Sequence, residues 1–246
     1  ELNDDEEYGR QFRAMVADTG VPMTKLMREA SAPTITADPT PFGFRMRIER
    51  NYRDRFTHVR ISNCIFPNAI AIALSPTMSI LQWHVPIDDE RCFWYSAFVS
   101  YGDPVDAATM RAQRAPAAEP VTYRSRVGRA ERWGYDPAEQ RTATYTGMGD
   151  DINVHDQWAV ESPGAVFDRT REHLGPVDVG IRTHRRLYLA ALRDPGPATL
   201  IGAADPAALQ GPAAIDATTT DPSAVDTCWR DLDKSEEHTS ELQSRG

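Results

Sequence analysis

Between Phe42 and Tyr101 the chain passes through five apolar segments in succession, FGFRMRIER, FTHVRISNCIF, AIAIALS, MSILQWHVP and CFWYSAFVSY, separated only by the turn signals NYRDR, PN, PT and IDDER. Segments of this length, alternating or continuously apolar and rich in β-branched and aromatic residues, are strands bounded by turn chemistry. Parallel neighbours need a long crossover, and none of these turns can hold one. The five strands therefore form an antiparallel meander.

The flanks read differently. Residues 1–40 are acidic and partly helical, with one amphipathic run, Tyr8–Val16, carrying Phe12, Met15 and Val16 at helical spacing; Pro22, Pro33, Pro39 and Pro41 then interrupt the chain. After the meander, Asp103–Pro104 opens a helix expected over Val105–Ala115, with Asp103 as its cap. A Pro- and Arg-rich loop is expected from Pro116 to Arg141. Two closing helices follow, Asn153–Glu161 and, past the break at Gly175–Pro176, Asp178–Leu192. Residues 195–234 are rich in Ala, Pro, Thr and Asp and are expected to be a disordered tail. Residues 235–246, beginning SEEHTSELQS, read as a translated sequencing-library adapter and carry no functional weight.

Composition narrows the classes. The chain has 246 residues, 41% of them hydrophobic, which suffices for a core. Its net charge of -9, from 36 acidic and 27 basic residues, argues against a nucleic-acid surface. No apolar run is long enough to span a bilayer and the N-terminus is too acidic for a signal peptide, so a cytoplasmic location without membrane attachment is expected. Cys64, Cys92 and Cys228 are odd in number and irregularly spaced, as reduced thiols would be.

Few residues offer chemistry. Asp156 lies on an otherwise apolar helical stretch, with Ile152 one turn before it and Trp158 and Val160 just after. A carboxylate in that setting is either a metal ligand or an ordinary one, serving as an N-cap or bonded to one of the many arginines. His155 points about a quarter turn away and does not converge with it on one ion. His173 and His184 are separated by the Gly175–Pro176 break, and His58 and His84 fall in strands, where a lone histidine is usually structural. Asp88–Asp89 sit in a turn, and Arg182, Arg185 and Arg186 lie on the last helix, complementing its dipole or forming a partner surface. There is no G-x-S-x-G, no G-x-x-x-x-G-K-[ST], no H-E-x-x-H and no G-x-G-x-x-G after a strand.

Two segments, WHVPIDDE (83–90) and GMGDDINVHDQWAVESPGAVFDRTREHLGPVDVGI (147–181), resemble the catalytic domain of Rieske non-haem iron aromatic-ring-hydroxylating oxygenases, in particular the phthalate 4,5-dioxygenase-like large (alpha) subunits. The resemblance extends from about Pro41 to Asp194. It implies an α+β helix-grip domain of the Bet v1/START-like kind, over 41–194, in which a curved antiparallel sheet is covered by C-terminal helices and the iron helix lies over the concave face. In the family the segment reads as a glycine-rich turn, Q-D, an apolar pair, E-S-x-G, then D-R-T-x-E-H-L-G and an Asp opening the last helix. Asp156 thereby matches the carboxylate of a 2-His-1-carboxylate iron site, with His155 where the family usually has glutamine. Glu161, Ser162, Asp168, Arg169, Thr170, Glu172 and Asp178 match positions that read as caps, turn closures and ion pairs.

The resemblance further implies mononuclear Fe(II), dioxygen, an aromatic carboxylate-type substrate, electrons from a ferredoxin or flavin reductase through a Rieske [2Fe–2S] centre, and a homotrimer for the full-length form. The chain has no C-x-H with a later C-x-x-H and no D-x-x-H-x-x-x-x-H. The expectation is thus a C-terminal fragment of a dioxygenase or monooxygenase large subunit, inactive alone. The alternatives are a metal-free helix-grip protein that binds a lipid or small molecule, and an assembly subunit that keeps the fold without the metal.

Overall fold

The computed structural model of the chain describes residues 19–149, 151–194 and 214–233. The run Tyr8–Val16, the stretch 195–213 and the adapter-like 235–246 lie outside those residues. The architecture is the expected α+β helix-grip: one curved antiparallel sheet with helices packed against it. No helix among the described residues is long and apolar enough to cross a membrane.

A short helix, α1 (Met23–Glu29), leads into the strands. The five expected segments form β2 (Gly43–Tyr52), β3 (Phe56–Ile65), β4 (Ala69–Ala73), β5 (Met78–Pro86) and β6 (Cys92–Ser100), each antiparallel to the next. The sheet also has two strands that the sequence pattern did not separate from its surroundings. β1 (Thr34–Thr40) pairs with β2, from Thr34 opposite Glu49 to Thr40 opposite Gly43. Its Pro39 argues against a central strand but is tolerated here, because β1 is an edge.

The second addition corrects the reading of 195–234 as disordered tail. Residues 215–219 form β7 (Ile215–Thr219), which pairs with β3 from Thr57 opposite Thr219 to Ile61 opposite Ile215. β4 takes the other part of the same edge, from Ser62 opposite Ile72 to Ile65 opposite Ala69. The long strand β3 thus has β2 along one side and β4 and β7 end to end along the other. Alternation drives the docking: Ile215 and Ala217 join Val59 and Ile61 in a buried cluster capped by Trp229. Trp229 is held between the Arg45 and Arg230 guanidinium groups, 5.0 and 4.8 Å from its ring centre, and Arg45 pairs with Asp233 at 2.7 Å. Arg47 pairs with Asp226. Val225 and Cys228 pack beside this cluster, and the ion pairs and the ladder to β3 complete an anchoring that composition alone does not reveal.

The opposite face carries α1 and the last of the described helices. α1 packs Met23 and Leu26 with Tyr52 and Phe56. After β6 come α2 (Ala107–Arg114) and α3 (Pro137–Thr142), then α4 (Ile152–Glu161) and α5 (Val179–Arg193). Asp106, not Asp103, caps α2, accepting from the Ala108 and Thr109 amides at 3.1 and 3.0 Å. Within the expected loop Pro116–Arg141, α3 begins at an Asp136–Pro137 pair, a cap followed by a proline whose missing N–H costs nothing at the first helical position.

The placement of the helices also departs from expectation. The helix lying on the sheet is α5, packed on β1 and β2, whereas α4 packs on the 3-10 turn Arg132–Gly134. α5 approaches the sheet at Gly180, against Met46 and Phe44, and is fastened by the His184 ring and the Tyr188 hydroxyl, both hydrogen-bonded to the Pro67 carbonyl at 2.9 and 2.7 Å. α4 has no such fastening because its polar side chains, described below, bond to a loop instead.

Four charged or ionisable side chains converge beside β3. His58 Nε2 lies 2.8 Å from Asp216 Oδ1, both side chains being buried. Arg60 stands opposite Asp216 in the register and donates from Nε to the Ala73 carbonyl at 2.9 Å. Burial lowers the Arg60 pKa to about 10, with Asp216 opposing the fall. Arg50, across from His58, is lowered by burial and supported by Asp216 in the same way. A buried charge stripped of its counter-ion is costly. Replacement of Asp216 by asparagine is therefore expected to lower the unfolding free energy by about 3 kcal/mol in urea titrations. A loss below about 1 kcal/mol, the range of a single neutral hydrogen bond, would mean that β7 does not supply the counter-charge.

Candidate functional site

α4 is presented by a turn that only its glycines permit. Gly147 and Gly149 have φ of 68° and 70°, and a Cβ on Gly147 would fall 2.6 Å from the Asp136 carbonyl oxygen. Glu139 on α3 organises this turn, accepting from the Thr144 hydroxyl at 2.7 Å and the Gly149 amide at 2.8 Å. Asp151 then caps α4 by accepting from the Asn153 amide at 2.9 Å.

The polar side chains of α4 divide its surface among three tasks. His155 faces back to the turn, its Nε2 2.8 Å from the Gly149 carbonyl and 3.0 Å from the Thr146 hydroxyl. Gln157 and Glu161, one turn apart, bind the preceding loop. Gln157 donates to the Val127 carbonyl at 3.1 Å and accepts from Ser125 at 2.8 Å, and Glu161 accepts from the Trp133 indole at 2.7 Å. Arg129 donates to the Glu161 carbonyl and lies over the Trp133 ring. Trp133 itself is buried with a φ of 53°, a backbone conformation that a bulky residue adopts only when its surroundings hold it there. The sequence pattern predicts only a Pro- and Arg-rich loop here; the Asp136–Pro137 cap is the signal that it ends in a helix.

Asp156 takes the third direction and has neither of the ordinary roles considered for it. The cap is Asp151, and among the described residues Asp156 makes no hydrogen bond and no ion pair with an arginine. Its carboxyl pKa is raised, first by loss of hydration and then by Asp151, with His155 opposing. The side chain is nevertheless open to approach, as are its neighbours Trp158, Ala159 and Val160. An exposed, unengaged carboxylate next to exposed apolar groups can bind a cation from outside the helix.

The other expected positions fall where packing and turn chemistry need them. Asp168 accepts from the Thr170 amide and hydroxyl at 3.0 and 2.7 Å, Glu172 takes both arms of Arg185, and Asp178 accepts from the Gly175 amide at 2.7 Å. Asp88 closes its turn by accepting from the Glu90 and Arg91 amides. His84 stacks on Trp94 with ring centres 5.3 Å apart, and burial lowers its pKa. His173 is exposed, and His184 is committed to Pro67. Among the described residues no three His, Cys, Asp or Glu side chains lie close enough to hold a metal ion.

Comparison with known proteins gives the family of the chain. The family model described as LigXa C-terminal domain-like matches residues 13–245, and the chain belongs to that family, the catalytic domain of Rieske-type oxygenases. The chain is also 26% identical over 175 residues to the phthalate 4,5-dioxygenase oxygenase subunit of Pseudomonas putida, covering 65% of this chain and 38% of that protein. The chain therefore spans well under half the length of that relative.

The raised Asp156 pKa fixes a sign. A carboxyl whose folded pKa exceeds its unfolded value favours folding while protonated, and that benefit is lost as pH rises through the folded pKa. Charged Asp156 thus weakens the fold at neutral pH. Replacement by asparagine is expected to raise Tm at pH 7, with the gain shrinking as pH falls through the carboxylate range. An unchanged Tm at pH 7 would show that the carboxyl is fully hydrated.

Proposed function

We propose that this chain is the catalytic-domain part of a Rieske-type aromatic-ring-hydroxylating or O-demethylating oxygenase, and that Asp156 is the carboxylate ligand of its mononuclear iron. The observation that carries the reading is the unengaged Asp156 carboxylate on the helix that the resemblance of residues 147–181 reads as the iron helix. A hard, ionised oxygen donor with an open approach fits a facial-triad position. Asp156 is one donor only. The two histidines of such a triad, and the Rieske [2Fe–2S] centre, belong on this reading to sequence outside the 246 residues.

Iron held in a facial triad supplies dioxygen activation, with electrons from a reductase. The chain's own residues hold the ligand in place. His155 and Asp151 fix the start of α4, while Gln157 and Glu161 lock its later turns to the loop 125–133, so Asp156 is offered from a helix restrained at both ends. The substrate, on this reading, would be an aromatic carboxylate. The exposed Trp158 and Val160 provide apolar surface near the carboxylate. The full-length form is proposed to be a cytoplasmic trimer.

The test is to express the chain joined to its upstream coding sequence and to compare it with the Asp156→Ala variant. Loss of mononuclear iron and of arene oxidation, with the visible absorbance of the [2Fe–2S] centre retained, is the expected result. Undiminished iron in the variant would sink the assignment of Asp156, whereas a wild-type protein that holds no mononuclear iron would favour a metal-free helix-grip binder. The 246-residue chain alone is expected to purify with far less than one iron per chain.

A further inference from the structure

We infer that Trp133 is a positioning residue for the Asp156 carboxylate, acting through Glu161 to fix the rotation of α4 about its own axis. The inference rests on reading Asp156 as the iron ligand. It begins with the backbone around Trp133. Arg132, Trp133 and Gly134 have φ of 52°, 53° and 72°, so three successive residues are left-handed and two of them are not glycine. L-residues enter this region singly and at a cost, and such strain persists only where contacts over-determine it. Here the Trp133 amide donates to the Gly128 carbonyl at 2.8 Å and the Gly134 amide to the Glu131 carbonyl at 3.0 Å. A chain folded in this way brings the buried indole to the end of α4, where its Nε1 donates to Glu161 Oε2 at 2.7 Å.

Both polar side chains on this flank of α4 are engaged at each of their ends. Glu161 Oε1 accepts from Gln157 Nε2 at 3.0 Å. The Glu161 carbonyl accepts from Arg129, whose guanidinium lies 5.7 Å from the centre of the Trp133 ring. Gln157 in turn donates to Val127 and accepts from Ser125. One stretch, 125–133, thus holds the helix through its backbone and two side chains.

Helical geometry says which movement these bonds oppose. Successive side chains turn by about 100°, so Gln157 and Glu161 stand about 100° and 140° round from Asp156, and His155 about 100° round the other way. His155 bonds to the glycine turn that leads into its own helix and moves with it. Gln157 and Glu161 bond instead to the neighbour on which α4 packs, so they resist its turning. A rotation of about 10° carries a carboxylate about 5 Å from the helix axis through about 1 Å, more than the roughly 0.5 Å that a metal site tolerates. Trp133 therefore sets the direction of Asp156 without touching it.

The test uses the chain joined to its upstream coding sequence. Fe(II) affinity is read by competition with a chelator, and the visible absorbance of the [2Fe–2S] centre counts intact protein. Trp133→Phe keeps a ring and removes the donor, and should weaken Fe(II) binding about tenfold with the cluster absorbance unchanged. Glu161→Ala, at an exposed position, should do the same, and decides the question if Trp133→Phe does not fold. Glu161→Gln keeps an acceptor for the indole and should restore wild-type affinity. Tyr188→Phe controls for general loosening: it removes a 2.7 Å bond that fastens α5, and should lower Tm without moving the Fe(II) affinity. Wild-type affinity in either folded variant, no rescue by glutamine, or an equal loss in Tyr188→Phe would overturn the inference. If Asp156→Ala keeps its iron, the reading of the site falls and this inference with it. If Asp156→Ala loses iron while the Trp133 and Glu161 variants keep it, this inference falls alone.

Discussion

Arg60 is buried in the middle of the sheet, and the carboxylate that makes this tolerable, Asp216, comes from the far end of the chain. The same carboxylate engages His58 and supports Arg50 across the ladder. Hydrophobic burial alone does not secure this region, because removing one member of a buried ionic group exposes the rest to an uncompensated desolvation cost. β7 is consequently more than an extra strand on β3. It delivers the charge that allows β3 to be central, and Trp229 with its two flanking arginines clamps the segment that brings it there.

The helices divide their work by what their side chains bind. α5 spends its polar groups on the sheet, at Pro67 through His184 and Tyr188, and on Glu172 through Arg185. α4 spends its own on the glycine turn and the loop before it, which leaves Asp156 unengaged. The proposed ligand role requires a residue that is held rigidly yet remains unsatisfied. Here the restraint comes from neighbours on other faces of the helix, at His155, Gln157 and Glu161, and not from the carboxylate itself.

How much of this could be read from the sequence follows from where the determinants lie. β2 to β6 were legible because each buries one face along its length and is closed by short turns, so period-two alternation and turn residues tell the same story. β1 was obscured by Pro39, whose acceptability depends on being at an edge. β7 was obscured because IDATT has one large apolar residue and its partners are 158 positions away at His58. The Trp133 loop escaped notice for a related reason: its order rests on bonds to Gln157 and Glu161, which become visible only once α4 is placed. Asp156 was legible as the exceptional residue of an apolar stretch and by resemblance, whereas its freedom from the arginines around it is a fact of geometry.

The long separation between β3 and β7 also dictates the order in which the domain can be completed. The meander β2 to β6 is built from neighbours in the chain and can pair as it is synthesised. β3 cannot pair the Thr57–Ile61 part of its second edge, nor Arg60 gain its counter-charge, until Thr219 has been made. During translation the nascent sheet therefore passes through a stage with part of its central strand unpaired, the state in which strands from different chains most readily mispair. Docking of β7 ends that exposure, so a segment made late is what makes strands made early safe.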